Sequence, residues 1–215
     1  MISSLGFFQP WIPANHPLGS LDGLAIITVV ATIHKSVKFV ANDLLRVIKG
    51  LEPVFLFIAR FGEIDRQNAR EIKNTLASDA QLIVNPAGTV SKRNPVKISD
   101  LPWNKFFISK AIKYKRDVIP IHVQAKNSWL FYNIASFRKI FRIKSNLEMF
   151  LLPREMFNKS GEKITITIGK PIAHKTFNES RTHLEWAQKV REYVYLLGSE
   201  NFSSTSTIPA FSEIL

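Results

Sequence analysis

His16 and Asp22 stand six residues apart in Asn15-His16-Pro17-Leu18-Gly19-Ser20-Leu21-Asp22-Gly23, a stretch punctuated by Pro and Gly and followed by an apolar run. The turn residues argue for a loop, with Leu24–Ile33 as a buried helix or strand behind it. If Asp22 folds back onto His16, its carboxylate accepts a hydrogen bond from one ring nitrogen, which fixes the tautomer and leaves the other nitrogen as an acceptor. An imidazole held this way is a general base for a hydroxyl or an amine. The same residues also suit a plainer arrangement, in which His16 closes a tight turn and Asp22 caps the following helix. A second group is Asn85-Pro86-Ala87-Gly88-Thr89-Val90-Ser91-Lys92-Arg93. Gly88 lets the backbone approach a ligand, and successive N–H groups in such a turn form an anion-binding concavity. Thr89 and Ser91 add hydroxyl donors, and Lys92 and Arg93 add charge. An ordinary surface turn with solvated basic residues is the competing reading.

The elements that would position these groups alternate between strand and helix. Met1–Pro13, with Phe7, Phe8, Trp11 and Ile12, reads as an edge strand or a surface flap. Leu21–Ile33 suits a helix, Val37–Val40 a short strand, and Asn42–Lys49 a short helix stopped by Gly50. Val54–Ala59 is a continuous apolar run, as expected of a central strand covered on both faces, with Arg60 at its carboxyl end. Asp65–Ala77 follows as a helix with Asp65 as N-cap, and Gln81–Val84 as a buried strand. Trp103–Tyr114 is a basic helix, Val118–Val123 a strand interrupted by Pro120, and Trp129–Phe141 a helix mixing aromatic residues with Arg138 and Lys139. Leu147–Leu152 and Lys163–Ile168 read as strands. The last helix opens at a Thr182-x-x-Glu185 capping box, buries Ala187, Val190, Val194 and Leu197, and stops at Gly198. From Ser199 a Ser/Thr-rich tail without periodicity is expected to be disordered or extended. The fold class is therefore α/β: one domain over 1–198, with a largely parallel or mixed sheet flanked by helices, and a flexible tail over 199–215. Ligands in such sheets gather at the carboxyl ends of the strands, so His16, Arg60 and the 85–93 loop can share one edge.

Composition narrows the partners. The chain has 215 residues, 46% hydrophobic, which excludes a disordered or fibrous class. Its 29 Lys and Arg against 17 Asp and Glu leave a net charge of +12, so an anionic partner is expected: nucleic acid, an anionic membrane surface or an acidic carrier protein. There is no cysteine, hence no disulfide and no thiol nucleophile. His34, His122, His174 and His183 lack ligand spacing, and no metal centre is expected. No apolar run reaches the roughly twenty residues a bilayer span needs. A secretory signal is not expected either, because no charged n-region precedes an apolar one.

Taken together, the short blocks resemble a family. Asn15-His16 with Asp22, Phe57-Ile58-Ala59-Arg60, Asn85-Pro86-Ala87-Gly88-Thr89-Val90-Ser91 and Val118-Ile119-Pro120 follow the order and rough spacing of the lysophospholipid (1-acylglycerol-phosphate) acyltransferase superfamily. That superfamily has the blocks Asn-His-x4-Asp, Phe-Ile-x-Arg, Phe-Pro-Glu-Gly-Thr-Arg-Ser and a hydrophobic-Pro strand. Gly169-Lys170-Pro171-Ile172 also looks like the Gly-x-Pro-Ile that follows the family's last strand. Three departures stand out: five residues rather than four separate His16 from Asp22, Ala87 replaces a Glu, and Val90 replaces an Arg. In the family the last two side chains, with the second-block arginine, are associated with the acceptor and its phosphate. The resemblance therefore implies a divergent branch whose acceptor is not plain lysophosphatidate, such as a lyso-aminolipid with an amino-acid headgroup.

The resemblance implies an O-acyltransferase that moves a fatty acyl group from an acyl-thioester onto a lipid hydroxyl. His16 and Asp22 would be its catalytic pair, and Arg60, Gly88, Thr89, Ser91, Lys92 and Arg93 would hold substrate. No cofactor is implied beyond acyl-CoA or acyl-acyl carrier protein as cosubstrate. Backbone N–H groups near Gly88 or the opening loop would serve the oxyanion. The implied partners are a lipid acceptor, the thioester carrier and an anionic membrane surface, with no nucleic acid. The expected place is the cytoplasm, peripherally on the inner face of the membrane. Lys105, Lys110, Lys113, Lys115 and Arg116, interleaved with Trp103, Phe106, Phe107 and Tyr114, would suit such a surface. Arg138, Lys139, Arg142 and Lys144 would do the same or dock an acidic carrier; for either segment the competing reading is a solvated cationic face with its aromatic residues in the core. Two rivals remain: a basic nucleic-acid-binding module, and an inactive relative that only binds lipid.

Overall fold

A computed structural model describes residues 9–41, 50, 53–57, 66–94, 97–141, 146–199 and 208–215. In chain order the elements are β1 (Trp11–Pro13), α1 (Ser20–Ala31), β2 (Val37–Ala41), β3 (Phe55–Phe57), α2 (Arg66–Ala77), β4 (Gln81–Val84), β5 (Lys92–Arg93) and β6 (Ile98–Ser99). They continue with α3 (Phe106–Tyr114), β7 (Ile121–Gln124), α4 (Trp129–Ile140), α5 (Leu152–Asn158), β8 (Thr165–Ile168) and α6 (His183–Leu197). Four strands pair in parallel in the order β1-β4-β2-β3. Single bridges from Trp11 to Val118 and from Ala14 to Ile121 continue the sheet past β1, and β8 adds an antiparallel edge on β7. The result is a mixed, mostly parallel sheet.

The strands are apolar on both faces because helices cover both. Successive residues alternate between two cores, as the period of two requires. Trp11, Leu82 and Val84 join Trp103, Phe107, Trp186, Val190 and Val194 under α3 and α6. Ile12, Ile83, Phe39 and Phe55 join Ile26 and Val30 of α1 on the other side. Helix α6 starts as its sequence dictates: Thr182 Oγ1 accepts from the Glu185 N–H at 3.2 Å, while the Thr182 N–H donates to Glu185 Oε2 at 2.7 Å. Ala187, Val190, Val194 and Leu197 form the buried stripe, and Gly198 stands at the C-cap.

Several expectations are corrected. Trp11–Pro13 is not an edge strand or a flap; it lies between β4 and the 118–121 segment, with Trp11 fully buried. The Phe55–Phe57 strand is covered on both faces yet ends the four-stranded order, because an apolar run reports covering and not place in the sheet. Leu147–Leu151 is a 3-10 turn leading into α5, with Pro153 in the first turn of that helix, where a missing N–H does no harm. Residues 208–215 are not a free tail: Phe211 is buried against Tyr193 and Trp186. Trp103 and Phe107 belong to the core, and Arg116 is a buried staple rather than a surface cation. Its guanidinium donates to the carbonyls of Leu76 (2.9 Å), Ala80 (2.8 Å), Gln9 (3.0 Å) and Ser78, closing the C-terminal end of α2. Phe7, Phe8, the Asn42–Lys49 helix, Arg60, Asp65, Arg142 and Lys144 lie outside the described residues, as does the side chain of Lys139.

Candidate active site

Two asparagines fix the loops at the carboxyl ends of β1 and β4. The amide of Asn15, 3% exposed, imitates a strand peptide: Nδ2 donates to the Val123 carbonyl at 2.9 Å and Oδ1 accepts from the Val123 N–H at 2.7 Å. Asn85 Nδ2 donates to the carbonyls of Ala14 and Asn15 at 3.2 and 3.1 Å. His16 therefore leaves the sheet in a set direction. Gly19 then turns the chain into α1 with φ +79° and ψ −132°, a conformation only glycine adopts readily.

That turn brings Asp22, in the first turn of α1, under the imidazole. Asp22 Oδ1 lies 2.9 Å from His16 Nδ1, and Oδ2 accepts from the Leu18 N–H at 2.9 Å. The extra residue between His16 and Asp22 is absorbed in this bend, and Asp22 is not the helix cap: Gly19 stands at the N-cap without a side-chain cap bond, and Asp22 lies inside the first turn. The Asp22 side chain is wholly buried, whereas that of His16 is 16% exposed. With Nδ1–H donating to Asp22, Nε2 is the lone-pair nitrogen left to meet a ligand. Burial alone would push the His16 pKa down. The Asp22 charge and hydrogen bond, with a further contribution from the Asp100 charge, outweigh it and raise the pKa above 6.5.

Asp100 is the residue that sequence reasoning missed. Its Oδ1 accepts from the His16 backbone N–H at 3.1 Å and from Ser91 Oγ at 2.5 Å, and its Oδ2 accepts from Trp103 Nε1 at 2.9 Å. Its own N–H donates to the Tyr195 hydroxyl at 2.7 Å, and its carbonyl accepts from Arg191 at 2.6 Å. Asp100 thus ties His16, the 85–91 loop and α6 together. The only local clue was an Asp three residues before a Trp.

The 85–91 loop does cross His16, for the Ser91 N–H donates to the His16 carbonyl at 2.7 Å. Its donors divide differently from expectation. Gly88 sits at φ +65°, but its N–H is spent inside the turn on the Asn85 carbonyl at 3.0 Å. Ser91 is buried, and its hydroxyl donates to Asp100. The N–H groups of Thr89 and Val90 have no partner among the described residues. Lys92 and Arg93 form β5 of a small hairpin with β6, Lys92 half-buried and Arg93 exposed. Thr89, Val90, Ser91 and Lys92 line a hollow closed on its far side by Phe131, Tyr132 and Ala135 of α4, with Glu148 and Met149. A second His–Asp pair, His174 with Asp117 at 2.9 Å, sits beside the amino end of β1, where the Trp11 N–H meets the Asp117 carbonyl. It is at the wrong end of the sheet for this site. Among the described residues no cluster of three His, Asp or Glu could hold a metal ion.

Residues 9–203 match the model of a family described as acyltransferase. The chain belongs to the acyltransferase family. This acyltransferase is 40% identical over 185 residues to a lyso-glycine lipid O-acyltransferase of Bacteroides thetaiotaomicron, covering 86% of this chain and 68% of that protein. It is 39% identical over 185 residues to the protein of the same name from Phocaeicola vulgatus, covering 86% and 66%. The chain thus spans about two thirds of the length of either relative. Its fold is similar to that of the 1-acyl-sn-glycerophosphate acyltransferase PlsC from Thermotoga maritima, with a TM-score of 0.52 over 93% of this chain and 68% of that one. At 17% identity that likeness concerns the fold alone.

Proposed function

We propose that this acyltransferase moves a fatty acyl group from a thioester of CoA or acyl carrier protein to the hydroxyl of a lyso-lipid, of the lyso-glycine lipid type. The reading is carried by the 2.9 Å contact between His16 Nδ1 and a buried Asp22, which leaves Nε2 as a base at the carboxyl edge of the sheet. Nε2 takes the proton of the acceptor hydroxyl as its oxygen attacks the thioester carbonyl carbon. Asp22 stabilises the imidazolium. The carbon–sulfur bond then breaks, and the thiolate leaves with the proton returned from His16. An ester and a free thiol are the products. The N–H groups of Thr89 and Val90 are the donors best suited to the oxyanion. Arg93 and Lys92, with Arg60 from outside the described residues, hold an anionic headgroup. Ala87 and Val90, where the resembled family has Glu and Arg, fit an acceptor without a phosphate, and the names of the two relatives support the same choice. The protein works peripherally on the cytoplasmic face of a membrane; among the described residues no helix is long and apolar enough to cross one.

The test supplies purified protein with acyl-CoA or acyl-acyl carrier protein and offers lyso-glycine lipid beside 1-acylglycerol-phosphate. Transfer to the lyso-glycine lipid is expected, with His16→Ala reducing it by about 10²–10⁴-fold while the variant remains folded. Undiminished transfer by His16→Ala rules out the mechanism. Preference for 1-acylglycerol-phosphate rules out the acceptor.

A further inference from the structure

Every exposed Trp and Phe among the described residues falls between positions 129 and 157. Trp129, Phe137, Ile140, Phe141, Phe150 and Phe157 are each between 59% and 83% exposed. At 100° per residue, Trp129, Phe137, Ile140 and Phe141 occupy one third of the circumference of α4, and its opposite side holds the buried Phe131, Tyr132 and Ala135. The Leu147–Leu151 turn packs on α4 and carries Phe150, and α5 follows it with Phe157. A helix apolar on both sides presents, beyond the core it covers, a second apolar face of the kind that marks an interaction surface.

The charges on this face are of one sign. Its two carboxylates are turned inward: Glu148 pairs with Arg138 at 2.9 Å, and Glu155 accepts from the N–H and hydroxyl of Ser128, each at 2.6 Å. Lys126 and Arg154 remain exposed. We infer that the outer face of α4, the 147–151 turn and α5 is a docking surface for an anionic lipid bilayer, with the aromatic rings set among the acyl chains and the cations at headgroup level. A second copy of this chain fits poorly, since each copy brings a net charge of +12 to the contact. An acidic carrier protein would need cations where this face offers phenyl rings.

The inner side of the same helices rests on the site. Phe131, Tyr132 and Ala135 line the hollow beside Thr89 and Lys92, and Asn127 donates to the Pro17 carbonyl at 3.0 Å. A Cβ built on Gly19 would lie 3.0 Å from Leu152 of α5. If the acceptor is a lyso-lipid, as proposed above, docking by this face sets the His16 loop one helix thickness from the leaflet that holds the acceptor.

Flotation of the full chain with phosphatidylcholine vesicles, with and without phosphatidylglycerol, tests the surface. Binding is expected to strengthen with phosphatidylglycerol. It should fall by about tenfold for each ring removed in the series Phe150→Ser, Phe141→Ser and Phe137→Ser, because each ring leaves apolar surroundings for water. Lys126→Glu with Arg154→Glu should erase only the phosphatidylglycerol increment. Trp11, Trp103 and Trp186 are buried, so a blue shift of emission on vesicle addition reports Trp129 alone, and it should vanish in Trp129→Phe. Phe150→Ser by itself, at the most exposed position, covers the case in which the triple variant fails to fold. Unchanged flotation of the ring variants, flotation without a Trp129 shift, or a dimer abolished by the ring substitutions would each overturn the inference. Failure of the catalytic reading is separately visible: a wild-type protein that floats but transfers no acyl group leaves the surface standing. One that transfers to a dispersed short-chain acceptor but never floats removes the surface alone.

Discussion

The backbone N–H of His16 and the carboxylate of Asp100, 84 residues apart in sequence, meet at 3.1 Å. Three donors converge on that carboxylate, two of them on Oδ1, so an amide in its place would set N–H against one of them. Asp100→Asn is expected to lose about 1–3 kcal/mol of stability through that unmet donor. Transfer should fall by about 10–100-fold as the His16 loop shifts. Removing the charge also lowers the His16 pKa, which a purely structural role would not do. Ser91→Ala keeps the charge and should leave the pH profile in place. Urea midpoints beside pH–rate curves of the two variants separate the effects.

The pH profile itself follows from the sign of the His16 shift. A general base must be neutral, and the His16 pKa is raised above 6.5, so kcat/KM should climb with pH through a value above 6.5 and fade on the acid side. Asp22→Asn should move this limb down and lower the plateau. Stability runs the other way. The folded pKa exceeds the unfolded one, so the stabilisation from the charged pair is fully present below about pH 6.5 and is lost as pH rises through the folded value. Denaturant midpoints of wild type and His16→Asn across this range measure that contribution.

How far the chain could be read depended on what lay close together in sequence. The Thr182–Glu185 box, the α6 stripe and Gln81–Val84 are local signals and stand where the pattern put them. The contact of His16 with Asp22 was legible for the same reason: six residues and a glycine turn allow little else. Asp100 was not legible, because its partners come from three distant segments and its own neighbourhood carries no periodicity. The order of strands was hidden in the same way, since Phe55–Phe57 is equally apolar at the end of a sheet or in its middle. Charge misled on α3, where lysines point outward from a helix whose Phe107 and Ile108 are core. On α4 the sequence carries apolar residues on both faces, and which of them stays exposed is decided only by what the fold packs against it.

His122 should make the fold acid-sensitive. Its ring is 8% exposed, occupies the space above Gly198, stacks edge-on against Tyr195 at 6.0 Å and leaves Nδ1 without a partner. Burial pushes its pKa down to about 4. The unfolded chain binds this proton near pH 6.5 and the folded chain does not, so stability falls as pH drops from about 6.5 towards 4, by up to roughly 3 kcal/mol. His122→Phe should flatten that dependence in urea titrations. Gly198→Ala places a methyl group on the ring itself and should destabilise at every pH, by about 1–3 kcal/mol.

Gly23 pits two effects of known sign against each other. It lies in α1 directly after Asp22, and replacing a helical glycine by alanine ordinarily gains about 0.8–1 kcal/mol. Here a Cβ would meet Phe39 Cε2 at 2.8 Å and Cζ at 3.0 Å. Phe39 has little room to yield: it is buried in β2 and packed edge-on against Phe55 at 6.1 Å. Overpacking of this kind costs about 1–3 kcal/mol, which exceeds the propensity gain at most of that range. Gly23→Ala should therefore lower the thermal midpoint. Because the strain pushes α1 away from the sheet, it also lengthens the reach from Asp22 to His16, and kcat should fall more than KM changes. A variant as stable as wild type with kcat intact would mean that Phe39 repacks without disturbing α1.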